Sequence, residues 1–349
     1  MAIIAPDIGI DIGTANTLVY VKKKGIVIDE PSMLVVDRGG RHAVRAIGEE
    51  ARILAGRTSN DVMEVRPLAD GMIRDFDMTQ LMLQYFVRKA IGASMLVKPR
   101  AIITIPCRVS PIEKRAVKRA AVYAGVRSGE NQLILIEKPF ASALGLGLPV
   151  FDAVGSMVVD IGGGTCEAAV ISLGGVVASR SIRMGGIKMD EEVIAYVKSE
   201  FNMVIGERTA EDVKVSLGAA LPLKEERRVL VRGRDMITRL PQTAEISSTR
   251  VYEALQGPCN AILSAIEHVL SRTPPELLGD IMRSGIHLTG GGAQLFGLDQ
   301  FIAQELQMPV LLARDPSNSA ALGVGHLADN IELLHRIGKS SFLREDGEE

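Results

Sequence analysis

The sequence predicts an α/β protein with two similar mixed β-sheets, helices on both faces of each, and a ligand between them. The first observation behind this is Met157-Val158-Val159-Asp160-Ile161-Gly162-Gly163-Gly164-Thr165. Here an apolar run meets an acid and then three glycines, the pattern of a buried strand breaking into a phosphate-sized turn. The second is a copy near the N-terminus, where Ile8-Gly9-Ile10-Asp11-Ile12-Gly13-Thr14 runs into Ala15-Asn16-Thr17-Leu18-Val19-Tyr20-Val21, just as Asp160 leads on to Cys166-Glu167-Ala168-Ala169-Val170-Ile171-Ser172. One glycine turn alone is equally a plain tight turn. Two strand-turn-strand units so far apart predict a duplicated domain, each half offering a hairpin to a shared cleft. The third is the alternation of strand and helix patterns along the chain, with no solenoid repeat.

In chain order, Lys22-Lys23-Lys24-Gly25 reads as a solvated turn, with Ile26-Val27-Ile28 and Met33-Leu34-Val35-Val36 as further strands of the first sheet. The short, charged stretch up to Asp61 suits a small insertion. Met78 to Ala90 reads as a helix with Met78, Met82, Tyr85 and Phe86 on one face and Asp77 as its N-cap. Ala101 to Ile105 is a strand. The loop before it, Gly92-Ala93-Ser94-Met95-Leu96-Val97-Lys98-Pro99-Arg100, carries large apolar residues among basic ones. Met95 and Leu96 either fold back on the core or meet an external apolar surface. Pro111 to Val122 is an amphipathic helix, and its basic run is a solvated face rather than a nucleic-acid site, since no aromatic residues interleave with it. Leu133 to Ile136 is a buried strand that delivers Glu137-Lys138-Pro139 to a helix starting near Phe140.

In the second half a helix is expected from Asp190 to Phe201, and another over Glu207-Arg208-Thr209-Ala210-Glu211-Asp212-Val213-Lys214. Glu211 and Lys214 lie one turn apart on it, the spacing of a surface ion pair. Arg228 to Val231 and Ala244 to Ile246 are strands, and Val251 to Leu270 is a long helix. Ile286-His287-Leu288-Thr289-Gly290-Gly291-Gly292-Ala293 is a third strand with a glycine turn, expected to open a helix at Gln294-Leu295-Phe296 and to pass its backbone close to a nucleoside. No G-x-x-x-x-G-K-[ST] occurs. By residue type, Asp11 and Asp160 hold the waters of a Mg²⁺ ion, Gly13, Thr14, Ala15, Asn16, Gly162, Gly163 and Gly164 meet phosphates, and Gly290, Gly291, Gly292 and Ala293 border the nucleoside of ATP or ADP.

Composition narrows the class. The chain has 349 residues, 47% of them hydrophobic but only 4% aromatic and none Trp, so two aliphatic cores are expected. A formal charge of -2 gives no case for nucleic acid as a partner. Cys107, Cys166 and Cys259 are odd in number and widely spaced, which points to a reducing cytosol and away from zinc. Met1 to Pro6 lacks the basic start and apolar run of a signal peptide, and no stretch is long enough to span a membrane, so membrane contact is expected to be peripheral.

The three glycine motifs, in this order, resemble the two phosphate motifs and the adenosine motif of the actin, sugar-kinase and heat-shock chaperone ATPase superfamily. The likeness narrows with Ile10 to Val21, Glu30-Pro31-Ser32, Arg66-Pro67 with Asp70-Gly71, Gly206 to Glu211, Thr273-Pro274-Pro275-Glu276-Leu277 and Leu288 to Gly292, which resemble the bacterial actin family MreB from about Asp7 to Asp329. The resemblance implies an actin-like ATPase fold in four parts: 1–32, 66–145 and 315–349; the insertion 33–65; 146–182 and 243–314; and the insertion 183–242. It places Glu207, Arg208, Thr209, Ala210, Glu211 and Lys214 beside adenine and ribose, and makes the loop at Met95 and Leu96 a membrane anchor, with Arg88, Lys89, Lys98 and Arg100 facing anionic headgroups. It implies cell-shape-determining filaments of paired antiparallel protofilaments on the inner face of the membrane, with other MreB paralogues, RodZ and wall-elongation proteins as partners.

The catalytic corner departs from the family. MreB proteins usually read Glu-Glu-Pro where this chain has Glu137-Lys138-Pro139, and they position the hydrolytic water with the acid directly before proline. Lys138 cannot accept a hydrogen bond or a proton, although it can bind a phosphate as a point charge. Either Glu137 or another nearby acid takes over, or hydrolysis is slow and the chain stabilises filaments of a relative. The family's Gly-Gly-Gly-Thr-Thr-Glu is here Gly162-Gly163-Gly164-Thr165-Cys166-Glu167, which is expected to remove a hydroxyl from beside the phosphates. A kinase of this fold would need a base for its substrate hydroxyl and an insertion to hold that substrate. A chaperone would need a further substrate-binding domain.

Overall fold

The computed structural model describes residues 6–39, 43–55, 61–92, 97–129 and 131–337. Each hairpin nucleates a five-stranded mixed sheet, and the two sheets repeat one plan. In the first, Ile8–Ile12 pairs antiparallel with Asn16–Val21, which pairs with Gly25–Pro31; on the other side Ile8–Ile12 lies parallel to Ala101–Ile105, which lies parallel to Leu133–Glu137. In the second, Ser156–Ile161 takes the place of Ile8–Ile12. It is flanked by Cys166–Ser172 and Gly175–Ile182 on one side and by parallel Ile286–Thr289 and Val310–Leu312 on the other. The duplication expected from the motifs is thus a duplication of topology.

Two helices fill the space between the sheets. Lys138–Gly145 and Ser319–Asp329 cross so closely that a Cβ on Gly323 would overlap the Ala141 carbonyl oxygen, and one on Gly145 the Ser319 carbonyl oxygen. Ile102 and Ile136 of the first sheet and Val158 and Ile171 of the second pack on the Phe140, Leu144, Val324 and Leu327 side chains of these helices. The aliphatic core therefore runs from sheet to sheet and ties the two halves together below the cleft. The outer face of the first sheet is covered by Phe76–Ile91 and Pro111–Tyr123, that of the second by Gly186–Phe201 and Ser248–Leu270.

Several local expectations change. Leu34–Asp37 does not extend the first sheet. It is the centre of a separate three-stranded sheet with Val44–Ile47 and Val62–Val65, because the chain turns away after Pro31. A second small sheet joins Met203–Val204, Arg228–Asp235 and Pro241–Ser247. The N-cap of Phe76–Ile91 is Asp75, whose carboxylate accepts from the Met78 amide at 3.0 Å; Asp77 lies inside the first turn, where its charge suits the helix dipole. The helix predicted from Asp190 begins at Gly186, and no helix opens at Gln294. Instead Gly291–Gln294 forms one 3₁₀ turn and the α-helix starts at Leu298.

Candidate functional site

The two glycine turns close in the same way. The Gly13 amide donates to the Asn16 carbonyl at 3.0 Å, and the Gly162 amide to the Thr165 carbonyl at 2.8 Å. They face each other at contact distance: a Cβ on Gly163 would lie 2.6 Å from Ala15 Cβ, and one on Gly164 2.5 Å from Thr14 Oγ1. Glycine is needed here so that the two halves can meet turn to turn. Gly186 and Ile187 donate to the Gly162 and Gly163 carbonyls, both at 2.9 Å, so the start of Gly186–Phe201 is seated on the second turn. That docking is why the helix begins before Asp190.

Above the turns opens a cavity of about 690 Å³, within the range of small-molecule and cofactor sites. Its lining includes Asp11, Gly13, Thr14, Ala15, Asn16, Lys138, Asp160, Gly162, Gly163, Gly164, Thr165, Glu211, Lys214, Gly290, Gly291 and Gly292. Polar turns form one end, while Val215, Leu217, Leu223, Leu295 and Phe296 supply apolar wall elsewhere. The arrangement can hold a ligand with an anionic chain and a flat, partly apolar head.

At the floor the first two acids meet a cation. Lys138 Nζ lies 3.2 Å from Asp11 Oδ2 and 4.0 Å from Asp160 Oδ1. Thr104 donates to Asp11 Oδ1 and Ser142 to Asp160 Oδ2, each at 2.6 Å. Burial disfavours the ammonium, but the charges of Asp11, Asp160 and Glu167 more than reverse this, so Lys138 stays protonated well above the usual lysine range. Burial raises the Asp160 pKa, against the pull of Lys138 and the Ser142 hydroxyl. The two acids therefore do not present an open pair to a metal's waters, because the ammonium already lies against one oxygen of each. Among the described residues, no three His, Cys, Asp or Glu side chains form a direct metal-ligand group. The expected Mg²⁺ site does not fit these residues.

Strand alternation sorts the rest of the corner. Thr165 and Glu167 face the cavity, whereas Cys166 points into the core of the second half. The expected loss of a hydroxyl beside the phosphates is therefore corrected, since a side chain at 166 is buried in the core and does not reach the cavity. Glu137 likewise lies off the cavity, with the Arg108 amide donating to it and burial raising its pKa. Glu207, Arg208 and Thr209 also lie off the lining, Ala210 and Ala293 are core residues, and Glu207 pairs with Arg66 at 3.2 Å. Lys214 does not pair with Glu211. It lies 2.8 Å from Asp190, whose carboxyl is pushed up to about 6, chiefly by burial, and it donates to the Gly186 carbonyl at 3.1 Å. Met95 and Leu96 lie outside the described residues.

Thr104, Ser142, Glu167 and Asp190 were not among the predicted site residues. Glu167 is 1% exposed, accepts from the Cys107 amide at 2.9 Å and from Thr165 Oγ1 at 3.3 Å, and burial is the main cause that pushes its carboxyl up to about 7. A signal existed for the first three: a hydroxyl in the apolar run Ala101–Ile105, another in the apolar helix Lys138–Gly145, and an acid two residues from Thr165 on a strand.

Two topologically matched domains around a nucleotide-sized cleft define an actin-like fold. A family model described as MreB/Mbl protein matches residues 5–336. The chain is 46% identical over 330 residues to the cell shape-determining protein Mbl of Bacillus subtilis, covering 95% of this chain and 98% of that one. It is 44% identical over 331 residues to the cell shape-determining protein MreB of Escherichia coli, with 94% of each chain covered. The crystal structure of MreB5 of Spiroplasma citri bound to ADP superposes with a TM-score of 0.87 at 34% identity, over 95% of this chain and 99% of that one. The chain belongs to the MreB/Mbl family.

Proposed function

We propose that the chain is a nucleotide-binding cytoskeletal protein that polymerises into membrane-associated filaments, determines cell shape, organises wall elongation and turns its ATP over slowly. The observation that carries the nucleotide reading is the pair of matched glycine turns facing each other below a cavity with one apolar wall. The MreB5 relative crystallised with ADP and with AMPPNP supports it. In this reading the turns at Gly13–Asn16 and Gly162–Gly164 receive the phosphates, Gly290–Gly292 passes close to the nucleoside, and Glu211 and Lys214 border it from the second insertion. We assign the four parts as the resemblance divides them. Exposed ion pairs from Arg66 to Glu207 and from Arg183 to Asp70 cross the cleft and are individually weak, so a nucleotide that draws the halves together can reset the angle between them, and with it the filament surfaces. The filament partner is a second copy or a related chain. Contacts with RodZ and wall-synthesis proteins rest on the family resemblance.

Slow turnover follows from Lys138, whose ammonium cannot orient or deprotonate water. The test is sedimentation with ATP, with phosphate release read on the same samples. Nucleotide-dependent pelleting with little phosphate release is expected, and Lys138→Glu should raise release by at least about 10²-fold, the low end of general-base contributions. Adding Cys166→Thr should leave that rate unchanged, because position 166 faces the core. A fast wild type would refute slow turnover and turn attention to Glu167, the glutamate on the cavity floor.

For the membrane, the proposal is that Met95 and Leu96 insert into lipid. Their burial is worth about 3–6 kcal/mol before ordering costs, marginal for one subunit and effective for a filament. The basic ring is smaller than expected, since Lys89 pairs with Glu30 at 2.6 Å and Arg100 with Asp7 at 2.9 Å, which leaves Arg88 and Lys98 as the better candidates for headgroups. Met95→Ser with Leu96→Ser should abolish co-sedimentation with anionic vesicles while leaving filaments intact. Unchanged vesicle binding would assign the loop to the protein interior or to a filament contact. Among the described residues, no helix is long and apolar enough to cross a membrane.

A further inference from the structure

We infer that Lys138 replaces the divalent metal in this cleft: its ammonium is the resident cation of the Asp11–Asp160 pair, and the chain binds its nucleotide without magnesium. This rests on the nucleotide reading above and specifies the form of ligand the site takes. Each acid spends one oxygen on a hydroxyl, Asp11 on Thr104 and Asp160 on Ser142. The other oxygens, Asp11 Oδ2 and Asp160 Oδ1, are those turned toward Lys138 Nζ. A hydrated magnesium held by this pair would need those same oxygens as acceptors for its waters. It would also have to sit against a fixed positive charge in a site that screens it poorly.

The ammonium cannot step aside cheaply. Lys138 is the first residue of Lys138–Gly145, a helix locked by its glycine crossing with Ser319–Asp329, and its side chain is mostly buried. If it swung out, two carboxylates that are only 4% exposed would be left facing each other without a counter-charge. In place, it can do what metal-bound waters do. An ammonium has three donors, so it can satisfy both acids and still offer an N–H to a phosphate oxygen from the turns beside it. The species that fits is the free nucleotide rather than its magnesium complex, and magnesium in solution competes for the ligand instead of assisting its binding.

The experiment is titration of the full chain with a fluorescent ADP analogue in EDTA and again in excess Mg²⁺. For the wild type, the dissociation constant should be lower in EDTA than in excess Mg²⁺, by the factor with which Mg²⁺ draws the free analogue into its complex. Lys138→Glu, which returns an acid to this place, should acquire Mg²⁺ dependence on the order of 10- to 100-fold. Lys138→Met keeps the stem without the charge and should shift in the same direction. Should either variant fail to fold, the wild-type comparison alone decides. A wild type that loses affinity tenfold or more in EDTA and regains it with Mg²⁺ overturns the inference and leaves nucleotide binding standing. Absence of saturable binding in both buffers overturns the nucleotide reading itself.

Discussion

Lys138→Ala should destabilise the nucleotide-free protein by about 3–5 kcal/mol, the cost of removing one member of a buried ion cluster. The magnitude comes from what stays behind. Asp11 and Asp160 keep their single hydroxyl donors but lose the positive charge 3.2 and 4.0 Å away, on a cleft floor where each acid is only 4% exposed. The loss should depend on pH. Burial already holds the Asp160 pKa above the aspartate range, and removing Lys138 removes one of the influences that keep it down. A carboxyl whose folded-state pKa is raised stabilises the fold when protonated, and that contribution is lost as pH rises through the folded value. The deficit of Lys138→Ala should therefore be largest above the folded-state value of Asp160 and shrink as pH falls through it, where the orphaned Asp160 takes up a proton. Urea midpoints of both proteins across that window provide the measurement, and a pH-independent loss under about 1 kcal/mol would mean that solvent reaches and screens the pair.

The duplicated sheets and the cleft were legible because the signals are local: a strand meeting an acid and a glycine turn can be read within ten residues, twice. The corner at Lys138 was half legible. That a lysine stands where the family has an acid is visible at once, but that its ammonium bridges Asp11 and Asp160 depends on three strand and helix ends far apart in the chain meeting at one point. Lys214 shows the same limit. The local reading pairs it with Glu211, one turn back, whereas the folded chain brings Asp190 from the preceding helix to within 2.8 Å. The placement of Cys166 was recoverable. With Thr165 facing the cavity, the pleat sends 166 to the core and returns 167 to the cavity, so alternation alone moves attention from the cysteine to the glutamate. Leu34–Asp37 went to a different sheet because nothing in an apolar run states which neighbour it pairs with.

Glu167→Gln should make the protein more stable at pH 8 by about 3 kcal/mol but by less than about 1 kcal/mol at pH 5. Burial pushes the Glu167 carboxyl up to about 7, the neighbouring Asp160 adds to this, and the hydrogen bonds from the Cys107 amide and Thr165, with the Lys138 charge, offset it only in part. In the unfolded chain the same group titrates near 4.5. Between these values the folded state holds a proton that the unfolded state has released, so stability is full below the lower value and falls as pH rises to the upper one, at up to about 1.4 kcal/mol per pH unit. Glutamine keeps an acceptor for the Cys107 amide and a polar contact for Thr165 but has nothing to ionise, so the variant should lose this slope. Urea midpoints at pH 5, 6, 7 and 8 give the difference curve, and a flat one would mean that Glu167 ionises in the folded protein as an ordinary carboxylate. The same group links the fold to the ligand. Phosphates entering beside Thr165 bring negative charge toward Glu167 and raise its proton affinity further. At neutral pH, nucleotide binding to the wild type should therefore take up a proton. Calorimetry in buffers of different ionisation enthalpy would detect that uptake, and Glu167→Gln should abolish it.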